Sequence, residues 1–197
     1  AAIVIGVMVM VAMRGLLNGL QQALVTNITQ GQTGAVQVHK RGYLQNVLSS
    51  PLTMHLDIKE TLTKISPVTQ VTAAAPRILF AGMVSSGEET LFSAIIAVDP
   101  LREPLVCPLR SKTFVADASY PGTRFEDGVV LSQELASAVQ LHTGEEAALL
   151  APDIDGVLSG ENIHISGQMQ LALPVVNKIA LAPLALALRL VKMEVKA

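Results

Sequence analysis

The sequence has no tryptophan, four phenylalanines, two tyrosines and one cysteine in 197 residues. With aromatics this scarce, a core must be built mainly from Ala, Val, Leu and Ile. The lone Cys107 excludes an internal disulfide and any multi-cysteine metal site, and reads as a small apolar core residue. Charged residues make up only 15% of the chain, net charge is −2, and the basic residues are scattered. A nucleic-acid binder needs a basic stripe to displace phosphate counterions, so that class is excluded.

Catalytic and metal-binding patterns are missing as well. No GxSxG, Walker A or GxGxxG occurs. His39, His55, His142 and His164 stand apart from one another and from Cys107, so no local ligand set forms. His39 and His164 fall in alternating segments, where a solvated ring is expected. Asp153-Ile154-Asp155-Gly156 lacks the further ligands of a calcium loop and reads as a turn between strands. Glu88-Glu89 and Glu145-Glu146 read as solvated pairs in turns, and Asn27-Ile28-Thr29 matches a glycosylation pattern but lies on a helix. The expectation is no catalytic, cofactor-binding or metal-binding residue.

What is abundant is apolar aliphatic sequence. Ala1 to Met13 is an uncharged apolar run ending at Arg14. Spanning a bilayer takes roughly 20 such residues, so the run reads as the outer end of a transmembrane helix cut within its length. The alternative is a buried helix of a soluble protein. Beyond Arg14, Leu16, Leu20, Leu24 and Ile28 recur every four residues among Asn, Gln and Thr, the mark of an amphipathic helix. No proline intervenes, so one helix is expected to leave the membrane as a stalk, with Gly31 and Gly34 ending it. The stripe Leu20-Leu24-Ile28 then packs either on a partner stalk or on its own domain.

Further on, Ala35 to Lys40 alternates as a strand does, Arg41-Gly42-Tyr43 makes a turn, and Leu56 to Ile65 a short helix stopped by Ser66-Pro67. Val68 to Phe80 is strand-like but broken by Pro76, and Leu91 to Val98 is a buried strand. The stretch from Leu101 to Asp127 is irregular, with one short helix. Val129 to Leu131 is a brief strand, followed by a helix capped by Ser132. Ala147 to Ala151, Asn162 to Ser166 and Gln168 to Leu173 are strands joined by turns at Gly156, Gly160 and Gly167. Val175 to Leu188 reads as a helix despite Pro183, and Leu190 to Ala197 as a strand. Lys178, Pro183 and Arg189 argue against a second membrane span near the end. Interleaving without regular βαβ spacing gives an α+β fold.

An ordered set of fragments resembles a known family. After the stalk come Gly34 to His39, Gly42-Tyr43, Pro51-Leu52, Pro76-Arg77-Ile78, Gly82, Ser86-Gly87 and Val98-Asp99-Pro100. Glu134-Leu135-Ala136, Leu141 to Gly144 and Ile165 to Gly167 come after these. In this order they resemble the MacB-like periplasmic core domain of FtsX-type ABC transporter permeases, nearest the lipoprotein-releasing LolC/LolE branch. Glu145 stands where the family pattern has Asp.

The resemblance implies an end of the first transmembrane helix and stalk (1–24) and a periplasmic core domain (25–197). A mixed α/β porter-like region (25–77 and 167–197) would carry an inserted, mostly β, sabre-like region (78–166). It further implies a bacterial inner-membrane permease with this domain facing the periplasm and a separate cytoplasmic ATPase. A second permease copy or paralogue would be the partner in the membrane, and a lipoprotein, chaperone or other periplasmic substrate the cargo. Gly34, Gly42, Tyr43, Pro76, Arg77, Asp99, Pro100 and Gly144 carry the family motifs as structural residues. The alternatives are a MacB-type efflux permease, a single-anchor sensor or binding module, and a hydrolase using Cys107 or a carboxylate pair.

Overall fold

In the computed structural model the described residues are 2–46, 52–171 and 178–193. Helix α1, Ala2–Ile28, continues through a wider π turn at Thr29–Thr33 without a break. The apolar stretch Ile3–Thr33 is 31 residues long, and none of its most apolar window is buried. The buried-helix alternative therefore fails for this segment. At 1.5 Å per residue the rod is about 46 Å long, more than the roughly 30 Å of a hydrocarbon core. Gly31 does not end it; the chain leaves the helix at Gly34, whose φ is 79°.

The expected strand at Ala35 to Lys40 is absent. The segment finds no partner strand among the described residues, and Val36 is 83% exposed; alternation alone does not make a strand without a neighbour to take its hydrogen bonds. At the Arg41-Gly42-Tyr43 turn the Tyr43 ring stacks on His39, centroids 4.4 Å apart. Helix α2, Ile58–Ile65, begins where the Asp57 carboxylate accepts from the Glu60 N–H at 2.8 Å, a capping contact.

The head is built on seven strands: β1 Arg77–Ser85, β2 Thr90–Val98, β3 Phe114–Val115, β4 Gly128–Ser132, β5 Glu146–Pro152, β6 Leu158–Met169 and β7 Ile179–Pro183. Six of them close into a ring in the order β6-β4-β7-β2-β1-β5 and back to β6, with β3 on the edge of β6. The β2–β7 and β4–β6 pairs are parallel and the others antiparallel. Alternate residues point inward (Phe80 and Val84; Ile95 and Ala97; Leu149 and Ala151; Ile163 and Ile165), as the two-residue strand period requires. Helices α4, Gln133–Ala138, and α5, Leu184–Leu190, add Leu135, Leu186 and Leu190 to that core. Ser132 caps α4 by accepting from the Leu135 N–H at 3.4 Å.

The C-terminal reading needs correction in two places. Ile179–Pro183 is a strand, not part of a helix from Val175, and the helix starts after Pro183. Ala and Leu favour helix, but pairing with β2 and β4 outweighs so weak a preference, and proline suits the boundary. Leu190 lies in α5, and Val191 and Lys192 form a turn with both Leu190 and Val191 buried, which a half-exposed strand does not allow. The rest of that expected strand, 194–197, like 172–177 and Pro51, lies outside the described residues.

The two strands expected on either side of Gly167 are one, β6, with Gly160 and Gly167 inside it. Val129 faces Ile165 while Val130 faces Gly167, so Ser166 is the extra residue of a β-bulge. A Cβ on Gly167 would lie 2.2 Å from that of Ala118. Gly167→Ala is therefore expected to cost about 2 kcal/mol by overpacking, read as an earlier midpoint in urea unfolding; an unmoved midpoint would show that the 118 loop yields freely.

Candidate functional site at the joint between rod and head

A helix ends with backbone carbonyls that have no partner in the next turn, and with the negative end of its dipole. Here those carbonyls enter the head. The Gln30 carbonyl accepts from the Leu109 N–H at 3.0 Å. Arg77 Nη1 donates to the Gln32 carbonyl at 2.7 Å, and Arg110 Nη2 donates to the same oxygen. The Cys107 thiol lies 3.8 Å from the Thr29 carbonyl as donor, while Arg77 Nη2 approaches its sulfur at 2.9 Å.

Glu103 holds both arginines. Its carboxylate accepts a fork from Arg77, Nε at 3.0 Å and Nη2 at 2.8 Å, and lies 3.1 Å from Arg110 Nε. Glu103 is fully buried, as is Cys107, and Arg110 nearly so. Burial alone would lower the Arg77 pKa, but the charge and hydrogen bonds of Glu103 and the neighbouring Cys107 outweigh it, so the guanidinium sits above its ordinary value and stays charged. Two guanidiniums face one carboxylate, and the surplus positive charge meets the carbonyl end of the rod.

Local sequence explains how these groups converge. Arg77 is the first residue of β1, so its position follows the β1–β2 ladder, where it faces Val98. Asp99 Oδ1 accepts from the N–H groups of Leu101 (2.9 Å) and Arg102 (3.3 Å), and its carbonyl from that of Glu103 (2.9 Å). This turn, with Pro100 inside it, starts helix α3, Glu103–Val106, and aims Glu103 at Arg77. Gly34 bends away beside Val106 in a left-handed conformation that few other residues adopt, and a Cβ there would come 3.2 Å from Val106 Cγ1.

Of the residues singled out in the sequence, Arg77, Asp99, Pro100 and Gly34 thus gather at the joint, with Pro76 directly before β1. Gly42 and Tyr43 lie in the turn after the 35–40 segment, and Gly144 lies in the turn before β5, its N–H donating to the Ile165 carbonyl at 2.8 Å. Leu20 and Leu24 are about half exposed (53% and 52%) and Ile28 somewhat less, so among the described residues the stripe is not covered by the head. Sequence reasoning missed Glu103 and Arg110 and treated Cys107 as inert. The available signal was an acid and a base flanking the apolar, proline-bearing run from Pro104 to Leu109, where a charged side chain buries only with a partner.

A second polar cluster lies away from the joint. His164 Nδ1 sits 2.9 Å from Asp127 Oδ2 and its Nε2 3.5 Å from Glu146, with the ring stacked on Phe125. The hydrogen bond to Asp127 raises the His164 pKa; partial burial opposes, and the charges of Asp127 and Glu146 add to the rise. A histidine raised on folding stabilises fully below its unfolded value near 6.5 and loses that contribution as pH climbs through the folded value. The difference in thermal midpoint between the wild type and His164→Gln should therefore be flat in acid and shrink toward alkaline pH. A difference independent of pH would refute the linkage.

The model for MacB-like periplasmic core domains matches residues 1–183. Among solved structures, the extracellular domain of the noncanonic ABC-type transporter YknZ from Gram-positive bacteria is 11% identical with a TM-score of 0.49. That match covers 66% of this chain and 64% of the other. The chain thus spans just under two thirds of that domain, and a likeness this distant says nothing about function. No curated protein matches the chain. A continuous rod whose carbonyl end is seated in the head accords with the family match over 183 residues: the chain belongs to the family of MacB-like periplasmic core domains, which are domains of ABC transporter permeases.

Proposed function

We propose that this domain is a mechanical relay: it takes up motion produced by a cytoplasmic ATPase and turns it into handling of a substrate on the far side of the inner membrane. The observation that carries the reading is the unbroken rod, whose most apolar window is unburied and whose last turn is joined to the head. A rod with no proline, held by the head at its last turn and exposed from Ile3 to Val25, moves the head as a unit. Arg14 sets the outer edge of the apolar run, which leaves about 28 Å of helix, at 1.5 Å per residue, to lift the head off the bilayer.

In this reading Leu20, Leu24 and Ile28 pack against the stalk of a second permease copy or paralogue. A cysteine at Leu24 should cross-link the two stalks in membranes, while one at Gln22, on another face, should not; equal cross-linking at both would argue against a stalk pair. The cargo class is a lipoprotein. Beside the head end of the rod, a groove of about 1290 Å³ runs between described residues of the stretch before β1 and the sheet, with Val36, Leu62, Val71, Ile96 and Ile179 among its lining, which suits an acyl chain. The porter-like (25–77, 167–197) and sabre-like (78–166) regions belong to the same proposal; β7 pairs with β2 and β4 and would bind the two together.

The test uses the intact permease with its ATPase in lipid discs and a spin label on the head at Glu161. Trapping the ATPase with ATP and vanadate should displace the head relative to the bilayer or to the second head. An unchanged distance in every nucleotide state would sink the relay. Lipoprotein release is tested separately, by ATP-dependent solubilisation of a labelled lipoprotein from the same discs.

A further inference from the structure

We infer that Arg77, Arg110 and Glu103 are positioning residues that latch rod and head into one rigid body, so that stalk motion enters the head at the start of β1. The inference rests on the relay reading and adds the place where force crosses. Among the described residues, apart from Gln37 just past the rod, whose amide donates to the Thr33 carbonyl, the hydrogen bonds from the head to the rod's last carbonyls come from two short stretches, Arg77 itself and Cys107 to Arg110. From Ile3 to Val25 the rod residues are exposed, so among the described residues the rod has no second hold on the head.

The chemistry favours a closed latch over a hinge. A single buried carboxylate bridges both guanidiniums, and both guanidiniums share the Gln32 oxygen. Opening the joint would strip the shared Gln32 oxygen from both guanidiniums and leave one carboxylate to balance two cations in a largely buried site, which is penalised. Arginine is required at position 77, because its planar fork reaches Glu103, the Gln32 carbonyl and Cys107 together, and lysine offers a single ammonium. Displacement of the rod therefore pulls on β1, and through the ladder on β2.

Cys107 is the built-in reporter: its thiol is sealed between Arg77 and the Thr29 carbonyl. The experiment measures maleimide modification of the Cys107 peptide by mass spectrometry, in the full-length permease with its ATPase, nucleotide-free and ATP-trapped. The wild type should be equally protected in both states. Arg77→Lys should be modified at least about tenfold faster, the factor that roughly 1.4 kcal/mol of lost closure gives. Ser132→Ala, which weakens the head away from the joint, should leave Cys107 protected.

Three results overturn the latch: exposure of Cys107 on ATP trapping in the wild type, no acceleration in Arg77→Lys, or equal acceleration in Ser132→Ala. A head that does not move with nucleotide while Cys107 stays protected would defeat the relay reading and spare the latch. Exposure of Cys107 in a head that does move would do the reverse.

Discussion

Glu103→Ala is expected to cost about 3–5 kcal/mol of head stability, the range for removing one partner of a buried ion pair. For a domain of this size that is a fall in thermal midpoint of roughly 6–20 °C. The loss exceeds that of one salt bridge because Glu103 is the carboxylate shared by Arg77 and Arg110, and among the described residues no other acidic side chain pairs with either. Its removal leaves the buried Arg110 and the partly buried Arg77 facing one backbone oxygen. Glu103→Gln, which keeps an acceptor but no charge, should lose less. Replacing Glu103, Arg77 and Arg110 together by methionine and leucine should recover most of the stability, since apolar residues often match a buried ionic cluster, yet should not restore the hold on the rod. Calorimetry gives the first quantity and Cys107 accessibility the second. A wild-type-like midpoint for Glu103→Ala would show that the cluster is wetter and weaker than its geometry indicates.

Ala23→Pro is expected to abolish coupling while leaving the head folded. Proline within a helix removes the bond to the carbonyl four residues earlier, clashes with that turn, and costs about 3 kcal/mol or more. Ala23 lies on the exposed rod between Arg14 and the joint, so the damage stays local. The head's thermal midpoint should be nearly unchanged, ATP hydrolysis should continue, and the nucleotide-driven displacement of the head should vanish. Ala23→Ser, which fits the same helix, should behave as wild type. Full displacement in the proline variant would mean that motion reaches the head by a route other than this rod.

The rod was legible because its signal is local: an uncharged run, a four-residue leucine period and no proline. β2 and the turn before it were legible for the same reason, with Leu91 to Val98 rich in apolar residues and Ser86-Gly87 ahead of it, whereas the strand expected at Val68 to Phe80 begins only at Arg77 and runs to Ser85. β7 was not, since Ile179 to Pro183 reads Ile-Ala-Leu-Ala-Pro and joins an Ala/Leu-rich run; only its neighbours β2 and β4 make it a strand. Gly160 and Gly167 misled in the other direction. They serve close approach within β6, which looks in sequence like a turn.

The joint was illegible for a different reason. Arg77 meets Glu103 across 26 residues and the Gln32 carbonyl across 45, and Arg110 meets that carbonyl across 78. No spacing rule reaches that far. A family resemblance pointed to Arg77 and Asp99-Pro100 but gave no reason for them; the reason is that the Asp99 turn delivers Glu103 to Arg77.

The ring order also governs how the molecule comes into being. β7 is the last of the described strands and sits between β2 and β4, so neither of those edges has this neighbour until residues 179–183 have been synthesised. Earlier pairs such as β1–β2 form from nearby sequence, but the final closure joins distant parts of the chain and is slow for that reason. Until then two apolar strands wait with free edges. A nascent chain in that state is the species most exposed to aggregation and proteolysis.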